Sequence, residues 1–310
     1  MRIVISVGGH ALPRRRQGGQ PPHPAPFEAP STLDTLRYAA IPLAAVAAEH
    51  ELVVVHGQGL LGQSLLMPSL YPLDMVGAEN EGRIGYLLEQ EIANRLPAER
   101  AVATLLTRVE VRADDPAFAD PAQAIGPVHG ADVAQRLRTE RGWVMAMVPT
   151  MAVGEGSPGF RRLVPSPEPL AVVDARPVEW LLERGAVVLC GGGGGIPVVA
   201  RHGGYAGVEA VIDPDACASL LARRLDADLF IIATDVEAVM AGWHGPEPHA
   251  LGRITSAELR ALAFEPGTMR PKVSAACAFA DALGRAAAIG SLARLAELVS
   301  GEAGTRVLPV

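Results

Sequence analysis

The means for phosphate chemistry in this 310-residue chain are one lysine, several glycine turns and a few isolated acids and histidines. Lys272, in "GTMRPKV", is the only lysine, and the other 26 of the 27 cationic side chains (27 less one) are arginine. An ammonium is a compact point charge that follows a phosphoryl oxygen, whereas a planar guanidinium needs more room. A chain that uses arginine everywhere else has kept lysine where that difference counts; the alternative is an exposed lysine of no consequence. "CGGGGGIP", residues 190 to 197, closes an apolar run. Glycines there allow backbone N–H groups to approach an anion without obstruction by Cβ. The turn suits phosphate or carboxylate, with Gly192, Gly193 and Gly194 as candidate donors, and its alternative is a flexible linker.

Two further turns resemble it. "RIVISV" ends at Gly8, Gly9 and His10, and "ELVVV" at His56, Gly57, Gln58 and Gly59. Gly57, Gly59 and Gly62 also match G-x-G-x-x-G, but a dinucleotide fingerprint needs a strand ending in an acid about 20 residues on. The next acids, Asp74 and Glu79, have no apolar run leading to them.

These turns need elements to position them. "RIVISV", "ELVVV", "GAVVLC" and "LFIIAT", the last ending before Asp235, are short, β-branched and apolar on both faces, the pattern of buried parallel strands. Helix patterns lie between them: "TLRYAAIPLAAVAAEH", "NEGRIGYLLEQEIANRL", "PVEWLLERG" and "DACASLLARRLDAD". The alternation predicts an α/β sandwich around a mostly parallel sheet, with ligands beyond the carboxyl ends of the strands. Residues 13–31, rich in Pro, Gly and Arg, are expected to form a surface loop through which no helix runs. Residues 112–165, with one helix pattern in "GADVAQRLRTERG", are expected to form a small lid inserted within a single 1–310 domain.

Composition excludes several classes. A net charge of -7 with scattered arginines does not supply the basic face of a nucleic-acid binder. The absence of an eighteen-residue apolar run and of signal-peptide architecture points to a cytoplasmic protein with no membrane association. Cys190, Cys217 and Cys277 lack metal or disulfide spacing and read as small core residues. The histidines show no metal pair at helical spacing, and Glu79, Glu81 and Glu89 receive no chemistry.

"YPLDMVGAENEGRIGYLLEQEIANRL", "TLLTRVEVRADDPAF", "RPVEWLLERGAVVLCGGGGGIPV", "GVEAVIDPD", "TDVEAV" and "GTMRPKV" occur in the order and spacing of the carbamate kinases, and the chain resembles that family from Met1 to Arg306. The resemblance implies a homodimer of three-layer α/β/α subunits with a protruding lid. It also implies reversible phosphoryl transfer between ATP and carbamate, with Mg2+. On that basis Lys272 is catalytic, Asp235 organises the lysines, and the glycine turns with Arg161 and Arg162 of the lid hold the small substrate. Asp213, Asp215, Val236, Met269 and Arg270 fall on the nucleotide side. The chain departs from the family at catalytic places: His10 stands for asparagine, Gln58 for the asparagine of "HGNGP", and Gln123 and Pro214 for two lysines. Since neither lysine has become arginine, two of three expected cations are missing. A titrating His10 can donate or carry a proton in the asparagine's place. The readings left open are a phosphotransferase on carbamate or a related small acid, a homologue that binds an anion or nucleotide without turnover, and a nucleotide-independent enzyme using carbamoyl phosphate or a similar acyl phosphate.

Overall fold

The computed structural model describes residues 1–8, 29–57, 71–148, 159–242, 247–264 and 269–310. Gly9, His10, Gln58 and Gly59, and most of the 13–31 stretch, lie outside the described residues. Along the chain run β1 (Arg2–Val7), α1 (Ala29–Glu49), β2 (Glu51–His56), α2 (Leu73–Ala93), β3 (Val102–Thr104), β4 (Arg108–Val111), β5 (Gln123–His129), α3 (Ala131–Arg141), β6 (Val144–Val148), β7 (Gly159–Val164), β8 (Pro169–Val172) and α4 (Ala175–Glu183). There follow β9 (Val187–Leu189), β10 (Ile196–Arg201), β11 (Gly204–Gly207), α5 (Pro214–Arg224), β12 (Leu229–Thr234), β13 (Met240–Ala241), β14 (His249–Ala250), β15 (Arg253–Thr255), α6 (Ser256–Ala261), α7 (Met269–Leu283), β16 (Ala287–Ser291), α8 (Leu295–Ser300) and β17 (Thr305–Leu308).

The four apolar runs of the sequence become adjacent parallel strands, β12-β1-β2-β9, at the centre of an eight-stranded sheet ordered β15-β17-β16-β12-β1-β2-β9-β3. In that sheet β16 and β17 are antiparallel, and the other neighbours are parallel. Side chains alternate between two cores because successive residues of a strand point to opposite faces. Ile3, Ile5, Val7, Leu52 and Val54 face α1, α2 and α8, while Val4, Val53, Val55, Phe230 and Ile232 face α4, α5 and α7. Burying one such side chain contributes about 1.5–3 kcal/mol, so the two cores fix the strand register strongly. The result is an α/β/α sandwich. Among the described residues no helix is long and apolar enough to cross a membrane.

Alternation also aims the polar exceptions. Ser6, in phase with Val4, faces the layer of α5 and α7; His56, in phase with Val54, faces α2. Both are buried.

Residues 123–164 include a separate sheet ordered β5-β7-β6, backed by α3 with Ala134, Leu137 and Met145 in its own small core. The predicted helix of this segment is α3, which ends on Gly142 at φ 66°, a left-handed cap that glycine adopts readily. Glu209 ties the sheet to the body: it accepts from Arg162 Nη2 at 3.1 Å and from the Leu73 N–H, at the start of α2, at 3.3 Å. One expectation needs correction. Helix α1 begins at Ala29, inside the stretch read as loop, and Pro30 falls in its first turn, where a missing N–H costs no helical bond.

Candidate active site

Lys272 stands on the first turn of α7 and is 8% exposed. Its Nζ donates to Asp215 Oδ2 at 2.7 Å, and Ser6 Oγ donates to Asp215 Oδ1 at 2.5 Å. Three elements converge here: β1 supplies Ser6, the first turn of α5 supplies Asp215, and α7 supplies the ammonium. An acid in the first turn also suits the positive end of the α5 dipole. Gly8 completes the arrangement. A Cβ at that position would lie 3.2 Å from Lys272 Nζ, so glycine lets the ammonium reach the carboxyl edge of β1. Both oxygens of Asp215 thus accept from side chains of the protein, one from Ser6 and one from Lys272. Asp235, the expected organiser, is exposed and accepts from Thr234 Oγ1 at 3.2 Å; the carboxylate on Lys272 is that of Asp215.

Asp213 caps α5 by accepting from the Ala216 N–H at 2.9 Å, and burial beside Asp215 raises its pKa above the usual carboxyl range. Pro214 is the first helical residue, a position that suits a ring with fixed φ and no N–H. The helix start is therefore well built without the lysine that the resemblance expects.

The turn after β9 is buried and uses its N–H groups differently from the sequence expectation. Gly191 donates to Thr107 Oγ1 at 2.9 Å and Gly192 to Glu81 Oε1 at 2.8 Å, while Gly194 and Gly195 donate to the carbonyls of Gly191 and Gly192. The Gly192 donor is thus directed to Glu81 and the Gly194 donor is used within the turn itself, where an open anion cradle had been expected. Glycine is required here for two other reasons. Gly194 has φ 94°, and a Cβ on it would collide with the Ile212 carbonyl; one on Gly192 would collide with the His56 ring.

Glu81, assigned no chemistry from the sequence, is 1% exposed on α2 and also accepts from the Thr107 N–H at 3.1 Å. Burial raises its pKa to about 8 against these donors, and burial lowers that of His56 to about 4. His56 Nδ1 has no hydrogen-bond partner among the described residues. Burial likewise raises the Cys190 and Cys217 thiols, so they are inert core groups as expected. Ser6 and Glu81 are the residues that sequence reasoning missed. Their signals were present: Ser6 is the polar residue within "RIVISV", and Glu81 shares the apolar stripe of Ile84 and Leu88.

The other expected residues are dispersed. Gly57 donates to the Val7 carbonyl at 2.8 Å, tying the turns after β2 and β1 together. Arg161 Nε donates to the Gly126 carbonyl at 3.0 Å, and Arg162 stacks 4.2 Å from the Trp143 ring. Met269 packs against the α5–α7 core, Val236 is half-buried and Arg270 is exposed with no ion pair among the described residues. Gln123 begins β5 and is exposed.

The amino acid kinase family model matches residues 1–291. The carbamate kinase of Rhizobium meliloti is 45% identical, over 98% of this chain and 92% of its own length; that of Haemophilus influenzae is 43% identical, over 99% and 96%. A carbamate kinase from Giardia lamblia bound to AMP-PNP superposes with a TM-score of 0.83 at 28% identity, covering 100% of this chain and 98% of that one. The continuous match in sequence and the common fold lead to one conclusion: this chain belongs to the carbamate kinase family within the amino acid kinases.

Proposed function

We propose that this protein is a carbamate-kinase-like phosphotransferase, moving a phosphoryl group reversibly between ATP and carbamate or a related small acid. The observation that carries the reading is the Lys272–Asp215 pair at the carboxyl edge of β1, next to Gly8. Phosphoryl transfer is mostly positioning and charge neutralisation. In the forward direction a carbamate oxygen attacks the γ-phosphorus while the bond to the bridging oxygen of ADP breaks. Lys272 stabilises the charge on the equatorial oxygens, Asp215 holds the ammonium in place, and Ser6 fixes Asp215.

Magnesium has no dedicated cage among the described residues. Asp213 is engaged as a cap and Asp215 on Lys272, so a magnesium ion arriving with ATP would take its ligands mainly from phosphate oxygens and water, with the exposed Asp235 as the available carboxylate, and would neutralise charge on the transferring group. The exposed Asp235 and Arg270 and the half-buried Met269 are assigned to the nucleotide side of the site, His10 to catalysis, and Gly9, Gln58 and Gly59 to the small substrate. Exposed Met75 and Tyr86 on α2, with Leu106 beside Gly82, form an apolar face suited to a second copy of the chain, as in a homodimer. Use of ATP supports the cytoplasm as the place where the protein works.

Gln123 and Pro214 favour a second reading, a homologue that binds ligand without turnover. Losing one preorganised charge costs about 10²- to 10³-fold in rate. Thermal melts with ADP, ATP and magnesium, carbamoyl phosphate or inorganic phosphate separate the readings, since a ligand of the folded state raises Tm. Stabilisation by nucleotide and carbamoyl phosphate together with ATP formation supports the kinase. Stabilisation without turnover supports the binding homologue, and stabilisation by carbamoyl phosphate alone supports a nucleotide-independent enzyme.

A further inference from the structure

We propose that Glu81 is a positioning residue for phosphoryl transfer, holding the turn after β9 and, through it, the start of α5 that carries Asp215. The inference rests on the kinase reading above. A continuous set of contacts supports it. Glu81 accepts the N–H groups of Gly192 and Thr107, and Thr107 Oγ1 accepts that of Gly191. The turn so held has no room for a Cβ between Gly194 and the Ile212 carbonyl, so a shift of the turn displaces Ile212. Ile212 precedes Asp213, the cap of α5, and two residues on is Asp215 with Lys272 on its carboxylate. Glu81 is therefore connected to the ammonium by backbone contacts without touching it. Displacements of about 1 Å remote from the chemistry can cost 10²-fold in rate.

The titratable groups facing Glu81 are His56 from β2, Cys190 after β9 and Cys217 from α5, with Asp213 beyond Cys217. Burial keeps His56 neutral and both thiols protonated, so in the alkaline range the charge change of this group belongs to Glu81. Its ionised form makes charge-assisted bonds to Gly192 and Thr107 that tighten the turn locally, although placing a charge in this buried position lowers the stability of the fold as a whole.

The test is ATP formation from carbamoyl phosphate and ADP by the parent, Glu81→Gln and Glu81→Ala, each with a thermal melt. A folded Glu81→Ala should lose 10-fold or more in kcat with KM for ADP within about 2-fold, and Glu81→Gln, which retains an acceptor, should recover most of the loss. The parent's kcat should rise through about pH 8, and Glu81→Gln should lack that rise. Parent-like kcat in a folded Glu81→Ala, or the same alkaline rise in Glu81→Gln, overturns the proposal. If Glu81→Ala does not fold, the pH profile of Glu81→Gln decides. An inactive parent defeats the kinase reading; the link from Glu81 is then judged by amide exchange at Gly192, and equal protection in parent and Glu81→Gln across pH 7 to 9 would overturn it.

Discussion

Lys272 Nζ and Asp215 Oδ2 lie 2.7 Å apart with their side chains 10% and 4% exposed. Removing one partner of a buried pair typically costs about 3–5 kcal/mol because the other charge is left uncompensated. Asp215→Asn should therefore lower stability by an amount of that order and also slow phosphoryl transfer, because the ammonium loses its anchor. Lys272→Ala should abolish transfer while the chain still folds, since the Ser6 hydroxyl continues to donate to Asp215. Denaturant melts and ATP formation check both; a folded Lys272→Ala with parent activity would remove the lysine from the mechanism.

Gln123→Lys with Pro214→Lys tests the missing cations. Each restores a charge of the kind phosphoryl transfer uses, and the pair should raise ATP formation more than either change alone. Pro214 is the first residue of α5, so its loss releases the fixed φ there, and a melt must accompany the assay. A folded double variant that binds ADP and makes no more ATP than the parent would mean that the cleft serves other chemistry.

His56 and Glu81 together predict a stability that is nearly level from about pH 4.5 to 6.5 and falls above it. The folded pKa of His56 is lowered from 6.5 to about 4, so the unfolded chain binds more protons between these values and stability rises with pH across them. The folded pKa of Glu81 is raised from 4.5 to about 8, so the folded chain binds more protons there and stability falls with rising pH. The two slopes oppose each other up to about pH 6.5, above which Glu81 alone contributes, at most about 1.4 kcal/mol per pH unit. Urea unfolding at pH 6.5 and 8 should show this loss in the parent and not in Glu81→Gln. An equal loss in both would assign it elsewhere.

Gly194→Ala should destabilise by about 1–3 kcal/mol, because φ 94° disfavours a side chain and its Cβ meets the Ile212 carbonyl. Gly142→Ala, with φ 66° and open space around it, is the control and should cost less. Equal melting temperatures for the two variants would contradict the close approach of the turn to α5.

The sheet was legible because its four central strands carry apolar residues on both faces, a pattern that only a doubly covered parallel strand requires. β16 and β17 were harder to read: "AAIGS" and "TRVL" are short, and glycine and threonine interrupt them. The site was partly legible. Lys272 stood out by composition, and Gly8 by its place after β1. The partner of Lys272 was not legible, because Asp215 is 57 residues away and nothing local distinguishes it from Asp235. The glycine run revealed a close-packed turn but not the destination of its N–H groups, which depends on Glu81 from a helix 111 residues distant.

The most direct test of the central claim is ATP formation from carbamoyl phosphate and ADP with magnesium, measured for the parent and Lys272→Ala at equal concentration, with both shown to be folded. The account predicts ATP from the parent and a loss of at least about 10²-fold in the variant. A folded, ADP-binding parent that forms no ATP, or a variant that matches it, would contradict the account.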